Sequence, residues 1–142
     1  KVMCQRLSDD LRRAGIRADC LHGDIKQATR EKTMADFRHG KLPVLIATDV
    51  ASRGIDVDDV DGVINYDVPE ENEYYIHRIG RTGRARKKGI SFTLLGSFPE
   101  KAKLDEIAKF AGFRIVPMIF DEYGCLVPAP AEEKHPTSRR RF

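Results

Sequence analysis

An α/β fold, with a mostly parallel central sheet and helices on both faces, is predicted from three features of the chain. Short apolar runs at 16–21, 44–47, 62–66 and 89–95 alternate with segments of helical periodicity, the pattern of βαβ units. Val44-Leu45-Ile46-Ala47 is apolar throughout, as expected of a strand buried on both faces. Polar clusters at 22–24, 48–56 and 65–67 each follow one of these runs directly. In parallel α/β sheets that edge is where ligands gather.

Taken in order, residues 2–14 carry Met3, Leu7, Leu11 and Ala14 at helical spacing, with Gly15 as a stop. Ile16 to Leu21 alternates as a short strand and ends in His22-Gly23-Asp24. A second helix is predicted from Gln27 to His39, with Met34 and Phe37 toward the core and Gly40 closing it. After the 44–47 strand comes a polar loop or short helix, Thr48 to Asp56, in which Asp49 reads as a cap. Gly62 to Tyr66 is a further buried strand, and Asn72 to Ile79 a helix whose apolar side is Tyr75, Ile76 and Ile79. Gly89 to Leu95 is rich in β-formers. Glu100 to Ala111 is an amphipathic helix on Leu104, Ile107, Ala108 and Ala111, stopped by Gly112, and Phe113 to Phe120 is one more candidate strand. From Asp121 the pattern fades into a basic, proline-containing tail, expected to be irregular.

The chemistry concentrates in His77-Arg78-Ile79-Gly80-Arg81-Thr82-Gly83-Arg84, followed by Arg86, Lys87 and Lys88 with no acid between Glu73 and Gly89. Arg81 and Arg84 are three apart, which directs both the same way on a helical or tightly turned backbone. Planar guanidinium forks at that spacing suit a chain of phosphates. A solvated basic turn is the plain alternative. Composition narrows the field further. The 142 residues suffice for one domain, and 41% hydrophobic with 33% charged content describes an ordinary globular protein. No apolar run reaches bilayer length and no signal-peptide pattern is read, so a membrane partner is not expected. The net charge of +3 says little about polyanions, but its distribution does: bases crowd into 77–88 and 139–141, acids into 56–73. Cys4, Cys20 and Cys125 are scattered, read as packing residues, and fit a reducing cytoplasmic setting. No G-x-x-x-x-G-K-[ST] loop is present, and no strand-end acidic pair is placed for magnesium, so no metal site is expected. Arginines suited to phosphate without a phosphate cradle suggest one half of a triphosphatase, since arginine fingers given across an interface contribute about 10³–10⁵ in rate.

Four segments carry a family resemblance. Gln27-Ala28-Thr29-Arg30 after His22-Gly23-Asp24 is similar to a Q-x-x-R element; Ala47 through Asp56, ATDVASRGID, to motif V; Val63 to Pro69, VINYDVP, to the segment after it; HRIGRTGR to motif VI. In this order they resemble the C-terminal RecA-like lobe of a DEAD-box ATP-dependent RNA helicase, a three-layer sandwich. The likeness spans roughly 22–84 and weakens toward Ile119, implying a lobe over 1–120 and a tail over 121–142. It also implies a central opening strand ahead of Lys1. By position, Arg81 and Arg84 would be the fingers reaching the γ-phosphate held by the N-terminal lobe, and His77 and Arg78 would couple the two lobes. Asp56, with Arg53 and Gly54, would serve the nucleotide: Asp56 accepting from the ribose hydroxyls, Arg53 pairing across the interface. Gly23, Gln27, Arg30 and Thr48 would hold RNA sugar–phosphate oxygens, a sequence-independent and salt-sensitive mode. ATP with magnesium would be held mainly by the N-terminal lobe, leaving the isolated chain inactive.

Plainer readings stand beside these. His22 reads as a satisfied strand-end histidine, Thr48 as a second cap, and Asp56 as one acid of a solvated loop with Asp58, Asp59 and Asp61. Tyr66, Tyr74 and Tyr75 read as core aromatics, or as stacking platforms for bases. The rival functions are a stand-alone RNA-binding or protein-docking module without ATP coupling, and a DNA-translocating relative. A metabolic nucleotide enzyme is disfavoured because no G-x-G-x-x-G follows a predicted strand.

Overall fold

A computed structural model of the chain describes residues 1–53, 57–83 and 88–130. They divide into two compact units, residues 1–96 and the stretch from Ser97 onward. The first unit has the order α1 (Val2–Arg13), β1 (Ala18–Leu21), α2 (Gln27–Arg38), β2 (Val44–Ala47), α3 (Asp49–Ser52), β3 (Gly62–Asn65), α4 (Asn72–Ile79) and β4 (Ile90–Thr93). The second holds α5 (Phe98–Ala111), β5 (Met118–Phe120) and β6 (Leu126–Pro128). No described helix is long and apolar enough to cross a membrane.

β1 pairs with β2 in parallel, Leu21 opposite Ala47, and β3 pairs with β4 in parallel, Asn65 opposite Thr93. The hydrogen-bonded ladders of the described residues are therefore pairs of strands. This corrects one expectation. β2 is half-buried rather than enclosed, and Ile64 of β3 is 68% exposed, because each strand has a laddered neighbour on one side only. The core lies under β1: Leu21, Met34, Ala51 and Val57 are buried together, with Ile25, Phe37, Leu45 and Val60 packed against them. Met34 and Phe37 thus sit where the periodicity of α2 places them.

α1 ends where Gly15 takes a left-handed φ of 83°, and the Ile16 N–H donates back to the Leu11 carbonyl. Its buried stripe differs from the predicted one. Met3 is exposed, while Cys4 and Ser8 face β1. These small residues admit close approach: the Ser8 hydroxyl donates to Ala18 O at 3.4 Å, and the Cys4 thiol lies 3.9 Å from Leu21 O. Cys4 and Cys20 are packing residues as expected, whereas Cys125 is exposed, since it sits in the turn before β6.

Burial pushes the Cys4 thiol up to about 11, with the nearby Cys20 adding to the rise. A group that holds its proton more tightly when folded contributes stability that is complete below the unfolded value near 9 and lost as pH rises through about 11. Urea titrations are expected to show a loss of about 2 kcal/mol from this thiol between about pH 8 and pH 11. Cys4→Ala should remove that share of the alkaline slope, and an unchanged slope would reject the assignment.

In the second unit, α5 starts earlier than predicted because Ser97 caps it, accepting from the Glu100 N–H at 3.4 Å. The stretch expected to be irregular from Asp121 contains β6, which pairs antiparallel with β5. The Asp121 carboxylate makes this possible by accepting from the Tyr123 and Cys125 N–H groups at 2.9 and 2.8 Å, closing a tight turn. Of the stretch 113–120 predicted as a strand, Met118–Phe120 is one.

Candidate functional site

The carboxyl ends of the parallel strands carry the site. The Thr48 N–H donates to Leu21 O at 3.2 Å, so the loops after β1 and β2 leave the sheet side by side. Beyond β2 the chain makes one helical turn, α3. Thr48 is its cap, the side chain accepting from the Ala51 N–H at 3.3 Å. Capping thus belongs to Thr48, and Asp49, expected in that role, is free for another because it lies one residue inside the turn.

Asp49 forms a two-pronged ion pair with Arg78 of α4, whose Nε and Nη2 each donate to one carboxylate oxygen at 2.7 Å. The remaining nitrogen, Nη1, donates to Asp67 O at 2.8 Å and Asp67 Oδ1 at 3.1 Å. One guanidinium thereby ties the loop after β2 to the loop after β3. Hydrogen bonding from Arg78 holds the Asp49 carboxyl below the usual range against the opposing effect of its burial. On the partner, burial works against the Arg78 charge, but Asp49 and Asp67 outweigh it and raise its pKa. Arg78, expected to face another lobe, is turned inward with every guanidinium nitrogen engaged.

Two more arginines reach α3. Arg30 Nη2 donates to Ala51 O at 2.8 Å. Arg81 Nη2 donates to Ser52 O and Nη1 to Asp58 Oδ1, both at 3.4 Å. Carbonyls at the end of a helical turn carry partial negative charge, so cations settle there. Arg81 keeps 31% of its side chain exposed, on the same edge as Thr48. Arg53, exposed just after α3, lies over the Tyr74 ring at 4.5 Å from its centroid. Gln27 and Gly23 are exposed, with Gln27 donating to Glu31 at 3.2 Å one helical turn on. His77 is also exposed. Gly54, Asp56 and Arg84 lie outside the described residues, as do Arg86, Lys87 and residues 131–142 of the tail.

The structure thus brings Arg30, Thr48, Arg78 and Arg81 together around α3. Tyr74 serves as a platform for Arg53, while Tyr75, buried on α4, has its hydroxyl 2.8 Å from Thr93 Oγ1. Asp49, Asp58 and Asp67 are site residues that the sequence did not single out as partners of arginines. The available signal was charge: an arginine-rich segment needs acids, and two of these, Asp49 and Asp67, lie just after predicted strands. Behind the arginines, Gly89 packs so closely on Gly83 that a Cβ there would stand 2.6 Å from Gly83 N.

The family model described as "Helicase conserved C-terminal domain" matches residues 1–86. This chain belongs to that family, in its DEAD-box branch. Among relatives, the probable ATP-dependent RNA helicase DDX17 of Mus musculus is 46% identical over 121 residues, 84% of this chain and 19% of its own length. The chain therefore spans about a fifth of that relative. The solved C-terminal domain of the DEAD-box protein Dbp5 superposes with a TM-score of 0.74 at 37% identity, covering 79% of this chain and 66% of that one. Saccharomyces cerevisiae Dbp5 bound to RNA and ADP BeF3 gives a TM-score of 0.73 at 37% identity, over 79% of this chain and 30% of that one. The fold is the RecA-like α/β fold of helicase C-terminal domains.

Proposed function

We propose that this DEAD-box helicase C-terminal domain completes an ATP site whose other wall is an N-terminal lobe, and that it grips the RNA backbone beside that site. One observation carries the reading: Arg30 and Arg81 meet at the last two carbonyls of α3 and Thr48 caps its start, so groups suited to phosphate gather on one turn of chain. The donor set fits a triphosphate. Arg81 is exposed enough to reach an anion, and a guanidinium fork matches phosphate oxygens. Arg84 and Arg81 would face the γ-phosphate, and Asp56, Arg53 and Gly54 the nucleoside side. Magnesium-bound ATP, held by the other lobe, would supply the phosphoryl group to be hydrolysed. Arg78 takes a positioning role: locked to Asp49 and Asp67, it fixes α4 so that Arg81 emerges at the strand-end edge. His77, exposed one residue before it, is the contact toward the N-terminal lobe.

Gly23, Gln27, Arg30 and Thr48 would hold sugar–phosphate oxygens of a single strand without reading bases. A solved relative bound to RNA and ADP BeF3 supports this pairing of ligands.

The test is reconstitution. The chain alone is expected to show no RNA-stimulated ATP hydrolysis, and fusion to a matching N-terminal lobe is expected to create it. RNA affinity should fall steeply with salt and rise when a non-hydrolysable ATP analogue is added to the fusion. Single-stranded RNA binding that ignores the analogue would favour the stand-alone RNA-binding module. Preference for DNA over RNA of the same sequence would favour a translocating relative.

A further inference from the structure

The acidic loop before β3 is built against the arginine segment. Val57 is buried in the core cluster and Val60 packs on it. Val60 is also stitched to the arginines: its N–H donates to Arg81 O at 3.1 Å, its carbonyl accepts from Thr82 Oγ1 at 2.6 Å, and the two residues form a parallel bridge. With both valines pinned, the residues between them must turn outward. Asp59 does so at φ 64°, the one non-glycine residue with positive φ among the described residues. Aspartate is one of the few side-chain-bearing residues that enter that conformation readily, and here it lets the chain turn between the two pinned valines. The result is a carboxylate from Asp58 at 3.4 Å from Arg81 Nη1.

We propose that Asp58 is a resting counter-ion of Arg81, a brake that an incoming phosphate must displace before the arginine engages it. The inference deepens the reading of Arg81 as a phosphate-facing group and rests on it. A carboxylate and a phosphate compete for the same guanidinium fork, since both offer paired anionic oxygens. The pair is 31% and 38% exposed and long, so an anion of higher charge can replace the carboxylate without disturbing the fold. Exposure also makes the brake sensitive to salt. Asp58 thereby sets how much phosphate the arginine requires, through a loop held by its own neighbours.

The test uses the 142-residue chain and inorganic tripolyphosphate, with the Arg81 Nε–Hε resonance as the reporter, assigned through Arg81→Ala. At about 20 mM salt, Asp58→Asn is expected to tighten binding by about two- to fivefold, and the gain should vanish near 0.5 M salt. Asp61→Asn removes the same charge three residues away from the loop's contact and is expected to bind like the parent. Equal tightening by both variants, or by neither, overturns the brake while an Arg81 response keeps the phosphate reading. An Arg81 resonance that ignores tripolyphosphate in every form overturns both.

Discussion

Arg81→Ala, made in the chain joined to its N-terminal lobe, is expected to lower ATP turnover by about 10³-fold or more. RNA affinity should stay within about twofold, since Arg81 is not among the groups proposed to hold the sugar–phosphate backbone. The expected loss does not come through unfolding. Arg81 reaches Asp58 and Ser52 O at 3.4 Å and is nearly one-third exposed, so these two contacts contribute at most about 1 kcal/mol to the fold. Arg81→Lys should recover little, because an ammonium keeps the charge and loses the two-pronged geometry. Steady-state turnover beside equilibrium RNA binding decides the matter. Equal loss of both would assign Arg81 to RNA and remove it from the ATP site.

The second large effect is on stability. Removing either partner of the Arg78–Asp49 pair is expected to cost about 2–3 kcal/mol, below the 3–5 kcal/mol of a fully buried pair because Asp49 keeps 35% of its side chain exposed. A double-mutant cycle with Arg78→Ala and Asp49→Ala should return much of that figure as coupling, measured by urea unfolding. Acid provides an independent readout. The folded pKa of Asp49 is lowered, so its contribution is complete above the unfolded carboxylate value of about 4 and lost as pH falls through the lower folded value. Asp49→Asn should therefore flatten the acid side of the stability profile. Additive single substitutions and an unchanged acid limb would mean that Arg78 does not depend on Asp49.

The helices and strand positions were largely legible, because periodicity and stop residues are local. Gly15 and Gly112 end helices where they stand in the sequence, and Met34 falls on the buried side of α2. Burial of the strands was less legible. Ile64 reads as core, yet its exposure is decided by which strands ladder together, and no residue of β3 encodes that. The hairpin after Asp121 was hidden because its organising element is one carboxylate closing a turn, amid a segment whose prolines suggest disorder.

Within the site, the arginines could be named from their spacing and from the family likeness. Their partners could not. Arg78 and Asp49 are 29 residues apart, as are Arg81 and Ser52, and only the folded path of β2 and α4 brings them together. Asp58 was masked by its acidic neighbours. An acid in a run of acids carries no mark of which one meets an arginine until the backbone kink at Asp59 selects it.

The absence of a side chain at Gly89 has a practical consequence for protein engineering. The separation between the turn at Gly83 and the strand that begins at Ile90 leaves room for a hydrogen atom and little else. Anyone transplanting the basic segment into another scaffold would have to move 82 through 89 as one block, since a side chain at position 89 would wedge it away from Thr82 and Gly83.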